Sequence, residues 1–257
     1  MAIRFSTRLW VYTNYDCNLS CTYCCARSHP KAKRREIGLN TFRKLVDEAV
    51  NLGFEELYLT GGEPFLLPEI FDMLDHSLPR IPTTVLTNAT IFTPNRLEHL
   101  KTLPTGHLSL QVSIDSPNAA VNDFYRGEGS FEKALKGVRS LTAAGMRVRI
   151  GATSTPKNQG QGETLSDFLS GEGISRDDQV LRPLAMRGFS KGGKEITTHK
   201  LLPELCVDRD GVYWHPVSTD GDFRICQEIF PLSQVVATVE AELIRREREG
   251  IESVPYQ

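Results

Sequence analysis

Three cysteines set the chemistry open to this sequence. Cys17, Cys21 and Cys24 stand at C-x3-C-x2-C spacing, just after a short apolar run, Leu9-Trp10-Val11-Tyr12, that reads as a strand. A loop at that place can bring three thiolates onto one small inorganic target, and thiolates are the preferred ligands of iron–sulfur clusters. A cubane cluster has four irons, so three protein thiolates leave one iron open, and an open metal position marks chemistry more than scaffolding. Cys25 directly follows Cys24, cannot easily turn its sulfur to the same target, and is read as a bystander. Two other readings stand beside the cluster: zinc held by Cys17, Cys21, Cys24 and His29, or a disulfide in a secreted chain.

Further polar groups recur at strand ends. Gly61-Gly62-Glu63-Pro64 follows the second strand, where glycines let main-chain groups come close to a ligand. Ser113-Ile114-Asp115 ends the fourth strand and Asp123-Phe124-Tyr125-Arg126-Gly127 follows it. Near the C-terminus, Cys206 is followed by fourteen residues, Gly221, four residues and Cys226. The basic run Lys31-Ala32-Lys33-Arg34-Arg35 reads as solvated surface, with guidance of an anionic substrate as the lesser reading.

The elements that position these groups alternate strand and helix. Phe42, Leu45, Val46, Ala49 and Val50 recur at helical spacing between Asn40, a cap, and Gly53, a stop. Strands are expected at 56–60, 83–88, 107–115, 146–153 and 179–184, and helices after Pro68, after Pro94, from Ser130 and over 163–169. With the first strand that makes about six, the pattern of a parallel α/β sheet. Beyond residue 190 the pattern changes: Val212–His215 and Asp222–Ile225 read as a hairpin turning at 218–221. A last helix runs from Ser233, with Glu242 and Arg246 spaced as an i,i+4 pair.

The chain has 257 residues, enough for one sizeable core with a small appendage, and an ordinary soluble composition. A net charge of −2 gives bulk electrostatics no pull on nucleic acid or an acidic membrane surface. Met1–Thr7 has no apolar h-region and no run approaches transmembrane length. Six cysteines without a secretory signal point to the reducing cytoplasm and to metal or redox roles.

The cysteine loop, with Tyr23 before its last cysteine, resembles that of the radical S-adenosylmethionine (SAM) enzymes. Gly61–Pro64 one βα unit later, Ser113-Ile114-Asp115, and the Cys206–Cys226 hairpin extend the resemblance to the SPASM/twitch subgroup, here with a truncated extension. The resemblance implies a partial (β/α)6 barrel over 1–190 and a hairpin-plus-helix extension over 191–257. It implies a [4Fe–4S] cluster on Cys17, Cys21 and Cys24. SAM would be contacted by Gly61, Gly62, Glu63 and Pro64, with Ser113 and Arg126 as carboxylate partners and Tyr23, Asn88, Asp115 and Arg182 nearby. The implied activity is formation of a 5′-deoxyadenosyl radical that takes a hydrogen atom from substrate, in an oxidoreductase or lyase fed by a flavodoxin or ferredoxin. No cysteine follows Cys226, so an ordinary four-cysteine auxiliary cluster cannot form. The extension is then a covering twitch, a cluster site using His215 or Asp208, or a source of a hydrogen-atom donor, for which Cys226 is favoured. The short extension and the lack of a preceding peptide-recognition domain favour a small substrate: a sugar, aminocyclitol or nucleoside undergoing oxidation, epimerisation or decarboxylation, as in antibiotic biosynthesis. The alternatives are a peptide-modifying maturase and a non-catalytic zinc or cluster-binding protein.

Overall fold

A computed structural model describes residues 5–256; the reading of residues 1–4 lies outside them. One nine-stranded sheet organises the chain. Strands β1 (Arg8–Asn14), β2 (Glu56–Gly61), β3 (Thr83–Thr87), β4 (Leu108–Ser113), β5 (Arg147–Ser154) and β6 (Gln179–Pro183) are parallel neighbours in sequence order. Helices α1 (Leu39–Leu52), α2 (Ile70–Ser77), α3 (Pro94–Thr102), α4 (Ala119–Arg126), α5 (Ser130–Ala143) and α6 (Gly162–Gly171) lie in the connections. This is the expected α/β partial barrel: the sheet is not closed, because β6 has no strand partner beyond β5.

The expected strands and helices form where periodicity places them. Helix α1 buries Phe42, Leu45, Val46 and Ala49 and ends at Gly53 in the left-handed conformation, but Gly38 rather than Asn40 stands at its N-cap. Helix α4 was not expected. It is two turns long, too short for a periodic signal, and Asn118 starts it by accepting from the amides of Ala120 and Val121.

The C-terminal segment departs most from expectation. Three short strands form in place of a two-stranded hairpin: β7 (Cys206–Asp208), β8 (Gly211–Tyr213) and β9 (Arg224–Cys226). Strand β7 pairs parallel with β1, Trp10 beside Cys206, so the extension continues the barrel sheet. Helix α7 (Leu232–Arg248) packs on α1. Arg246, paired with Glu242 at 2.9 Å as expected, lies 4.5 Å from the Trp214 ring centre and donates to the carbonyls of Thr198 and Leu201.

Alternation along the strands sorts the two faces. On β1, Leu9 and Val11 are fully buried in the apolar core, while Arg8, Trp10 and Tyr12 face the barrel interior. The inward sets on β2, β4 and β5 are equally polar: Tyr58 and Thr60, Gln111 and Ser113, Arg149 and Thr153. A barrel packed only for stability fills its centre with branched apolar side chains. This interior instead surrounds a cavity of about 1090 Å³.

Candidate active site

The cysteine loop leaves β1 at Asn14, and its first residues are fixed by main-chain contacts to the end of β2. Asn14 Nδ2 donates to the Asp16 and Glu63 carbonyls, each at 3.1 Å, while Gly62 N donates to Asn14 O and Glu63 N to Asp16 O. A β-carbon on Gly62 would lie 1.9 Å from Asp16 O. The glycines are therefore required first by the crossing of two main chains, where the sequence suggested access for a ligand.

Cys17, Cys21 and Cys24 are free, half-buried thiols that line one end of the cavity. Leu19 N and Ser28 N each point at a sulfur, those of Cys17 and Cys24, at 3.4 Å, and Asn88 Nδ2 lies 3.8 Å from Cys17 Sγ. Burial pushes the Cys17 thiol up to about 12 and that of Cys21 up as well, so a bound cation is what would hold them as thiolates. Among the described residues no three His, Cys, Asp or Glu side chains converge closely enough to hold a single metal ion. A cubane cluster asks for something wider, since each thiolate binds its own iron. Three cavity-facing thiols with N–H groups directed at two of them fit such a cluster.

The other expected cofactor residues divide. Gly61, Gly62, Tyr23, Asn88, Ser113, Arg126 and Arg182 line the cavity with the cysteines. Glu63, Pro64 and Asp115 do not. The Glu63 carboxylate is fully buried and accepts from Phe65 N, Thr87 Oγ1 (2.7 Å) and Asn88 N (2.8 Å), tying β2 to β3. Burial pushes its pKa up to about 7, against the pull of those three donors. Asp115, 1% exposed, is the hub beneath the site. It accepts from Tyr23 Oη at 2.5 Å, Arg126 Nε at 2.8 Å and Nη2 at 3.2 Å, and Thr153 N at 2.9 Å. Four elements, the cysteine loop, α4, β4 and β5, thus meet on one carboxylate.

Cys226 lies away from the cavity, with its thiol donating to Glu228 O at 3.1 Å, and Cys206 is wholly buried on β7. Cys25, read as a bystander, does line the cavity, with Tyr12 Oη at 3.8 Å. Asp208 accepts from Tyr15 Oη at 2.6 Å and Arg35 at 3.3 Å. The basic run is accordingly part of the scaffold: Arg35 also bonds Asp210 and stacks on Tyr15, and Arg34 pairs with Asp16. Missed in the sequence was the inward wall of Trp10, Tyr58, Gln111 and Arg149. Its signal was present, as polar or aromatic residues at every second position of β1, β2, β4 and β5.

A family model described as the radical SAM superfamily matches residues 11–168. The chain is 33% identical over 144 residues to an AdoMet-dependent heme synthase of Methanosarcina barkeri, covering 55% of this chain and 41% of that protein. It is 30% identical over 176 residues to the mycofactocin maturase MftC of Mycobacterium tuberculosis, covering 68% and 44%. With the subtilosin biosynthesis protein AlbA of Bacillus subtilis it shares 33% identity, covering 56% and 32%. The chain thus spans less than half the length of these curated relatives. Among solved structures, Streptococcus suis SuiB bound to S-adenosylmethionine superposes with a TM-score of 0.61 at 18% identity, covering 98% of this chain and 51% of that one. For anSMEcpe with bound AdoMet the TM-score is 0.63 at 15% identity, covering 86% and 77%. At these identities the structural likeness is one of fold.

Proposed function

The chain belongs to the radical SAM superfamily, and from that premise we propose that it is the radical-generating core of a peptide-modifying maturase. It is an enzyme of a family that works with a [4Fe–4S] cluster and SAM. In this reading Cys17, Cys21 and Cys24 hold the cluster. Gly61, Gly62, Ser113 and Arg126 border the SAM beside it, and Tyr23 and Asp115 set the position of Arg126. Asn88, bonded to Asn18 at 2.8 Å, braces the loop from β3. When bound, these groups supply a 5′-deoxyadenosyl radical that abstracts a hydrogen atom from the substrate. The chain's part is to orient that substrate and exclude water; a flavodoxin or ferredoxin is the proposed electron source.

The observation that carries the peptide reading is the set of relatives, and the cavity leaves room for it. Its volume of about 1090 Å³ leaves space for a substrate beside a cofactor at the cysteine end. Relatives named a maturase and a bacteriocin biosynthesis protein support the same reading, as do fold relatives solved with a precursor peptide and with the Cp18Cys peptide. The case for a sugar, aminocyclitol or nucleoside rested on the short extension and on no peptide-recognition domain preceding the barrel. In a chain spanning under half of its relatives, neither point has force. Residues 191–257 are proposed as a SPASM/twitch-like extension that forms one wall of the site. No helix among the described residues is long and apolar enough to cross a membrane.

The test is anaerobic reconstitution followed by SAM and reductant. About four irons per chain and release of 5′-deoxyadenosine are expected, both lost in Cys17→Ala. A randomised peptide pool should raise that release and return peptides of altered mass. Release raised by a nucleoside or sugar pool but not by peptides would restore the small-molecule reading, and unimpaired release from Cys17→Ala would remove the role given to the loop.

A further inference from the structure

One charged side chain in the cavity has no partner. Arg126 is matched by Asp115, Arg8 by Glu56 at 2.9 Å, and Arg149 by Asp178 at 3.6 Å. The side chain of Arg182, on edge strand β6, makes no hydrogen bond and has no carboxylate within ion-pairing distance among the described residues. Its guanidinium lies over the Trp10 ring, 5.7 Å from the centre, bridging the open side of the barrel from β6 to β1. Glu204, the only acid lining the cavity among the described residues, is turned to Trp10 Nε1 at 2.7 Å and Arg8 at 3.9 Å. Burial lowers the pKa of Arg182 against the pull of the Glu204 charge, which lies beyond ion-pairing distance.

Two other buried polar side chains that line the same cavity share this unfinished character. Gln111 is 4% exposed and its Oε1 has no hydrogen-bond partner, although buried amides are normally satisfied. Its amide lies across β5 where Gly151 has no side chain; a β-carbon there would come within 2.8 Å of Gln111 Nε2. His215, 5% exposed, also lines the cavity. Val217 N donates to its Nδ1 at 3.1 Å, which leaves the ring proton on Nε2. Burial first, and then the charge of Arg182, push its pKa down to about 3, so the ring is a neutral donor.

We propose that Arg182, His215 and Gln111 form a subsite for a carboxylate of the substrate. The Arg182 guanidinium and the His215 Nε2–H hold the carboxylate oxygens, Gln111 Oε1 accepts an adjacent N–H, and Trp10 and Tyr58 face the apolar part. A planar guanidinium is suited to a carboxylate and stacks on an aromatic ring. On a peptide, carboxylate and neighbouring N–H are the C-terminal residue, so the subsite rests on the peptide-modifying reading and deepens it. The Trp10 ring under the guanidinium lies toward the other end of the strands from the cysteine loop, although the Arg182 main chain pairs with Thr153 near the Asp115–Arg126 pair. Trp10 precedes Asn14 by four residues, about 13 Å of strand at about 3.3 Å per residue, and the cysteine loop begins beyond Asn14.

Calorimetric titration of the reconstituted enzyme with N-acetyl-tetraalanine and with its C-terminal amide tests this. The acid is expected to bind at least tenfold more tightly than the amide. Arg182→Gln should erase that preference and Arg182→Lys keep part of it. Because the Arg182 side chain makes no hydrogen bond, neither change removes a structural contact other than the face of Trp10. Equal binding of acid and amide overturns the proposal, as does an Arg182→Gln variant that loses SAM affinity by the same factor as acid affinity. Hemin, which carries two carboxylates and no peptide, separates the two levels. If hemin binds in an Arg182-dependent way and the peptide acid does not, the carboxylate subsite stands and the peptide reading falls. If neither binds, the subsite falls.

Discussion

Asp115→Asn is a change of one atom at the centre of the site, and its cost can be worked from the contacts. The carboxylate accepts four hydrogen bonds, from Tyr23 Oη, Arg126 Nε and Nη2, and Thr153 N, and every one of these groups is a donor. Asparagine offers one acceptor oxygen and puts an NH2 group against the remaining donors. Arg126, with a side chain only 10% exposed, keeps its charge and loses its counter-ion. Breaking a buried pair from one side costs about 3–5 kcal/mol. At about 2–4 °C per kcal/mol for a chain of this size, the melting temperature should fall by roughly 6–20 °C. Thermal unfolding of the anaerobic protein measures it, with Tyr23→Phe as a comparison that removes a single bond worth about 1 kcal/mol. Adding Arg126→Met to Asp115→Asn should recover part of the loss, because the orphaned charge goes with it. A variant within about 1 kcal/mol of wild type that binds SAM poorly would refute this reasoning. It would make Asp115 a cofactor contact instead of the hub of the scaffold.

Other expectations follow from single observations. The Glu63 pKa is raised from 4.5 to about 7 in the folded protein. The native state therefore binds the extra proton between those values, and Glu63's own contribution to stability is full below about 4.5 and falls by about 3 kcal/mol as pH rises through 7. Denaturant unfolding across that range should show the slope, and Glu63→Gln should flatten it. Arg246→Ala removes the stack on Trp214 and the bonds to Thr198 and Leu201 carbonyls, so a loss of about 2–4 kcal/mol is expected in the same assay. Cys206 and Cys226 are not brought together, so Cys226→Ala should hold the same iron per chain as wild type, about four; a fall from about eight to about four would show an auxiliary site.

The barrel was legible because its six strands, and its helices other than α4, carry their own period. Leu108, Leu110 and Val112 alternate on β4, and Phe42, Leu45, Val46 and Ala49 return every third or fourth residue on α1. What stayed hidden was set by partners far away in sequence. Strand β7 is three residues long, held between β8 just after it and β1 nearly two hundred residues earlier, and only the first of those partners is local. The function of Asp115 depends on Tyr23, 92 residues before it, and on Thr153, 38 after it. The cysteine loop was readable because its chemistry is local, three thiols within eight positions. The wall of the cavity was not, since Trp10, Gln111, Arg182 and His215 come to line one space only when the sheet curls.

The Gly61–Pro64 stretch shows why a motif can be recognised correctly and explained incompletely. Its glycines invite a ligand-centred account, yet the atoms that forbid a side chain at Gly62 are those of the Asp16 carbonyl, 1.9 Å from where a β-carbon would stand. Its glutamate, the residue whose charge suggests a cofactor contact, is sealed between β2 and β3. Both features serve one mechanical end. The cysteine loop has little regular structure of its own, so its position must be borrowed from the sheet. Gly62 lets β2 press against the loop's main chain, Glu63 locks that strand end to β3, and Asn88, the next residue on from Thr87, reaches back to Asn18 and Cys17. Tyr23 does the same from the far side through Asp115. A radical generated beside such a loop has to meet one hydrogen atom of its substrate among many, and placement to within a fraction of an ångström is what that selectivity asks of a scaffold.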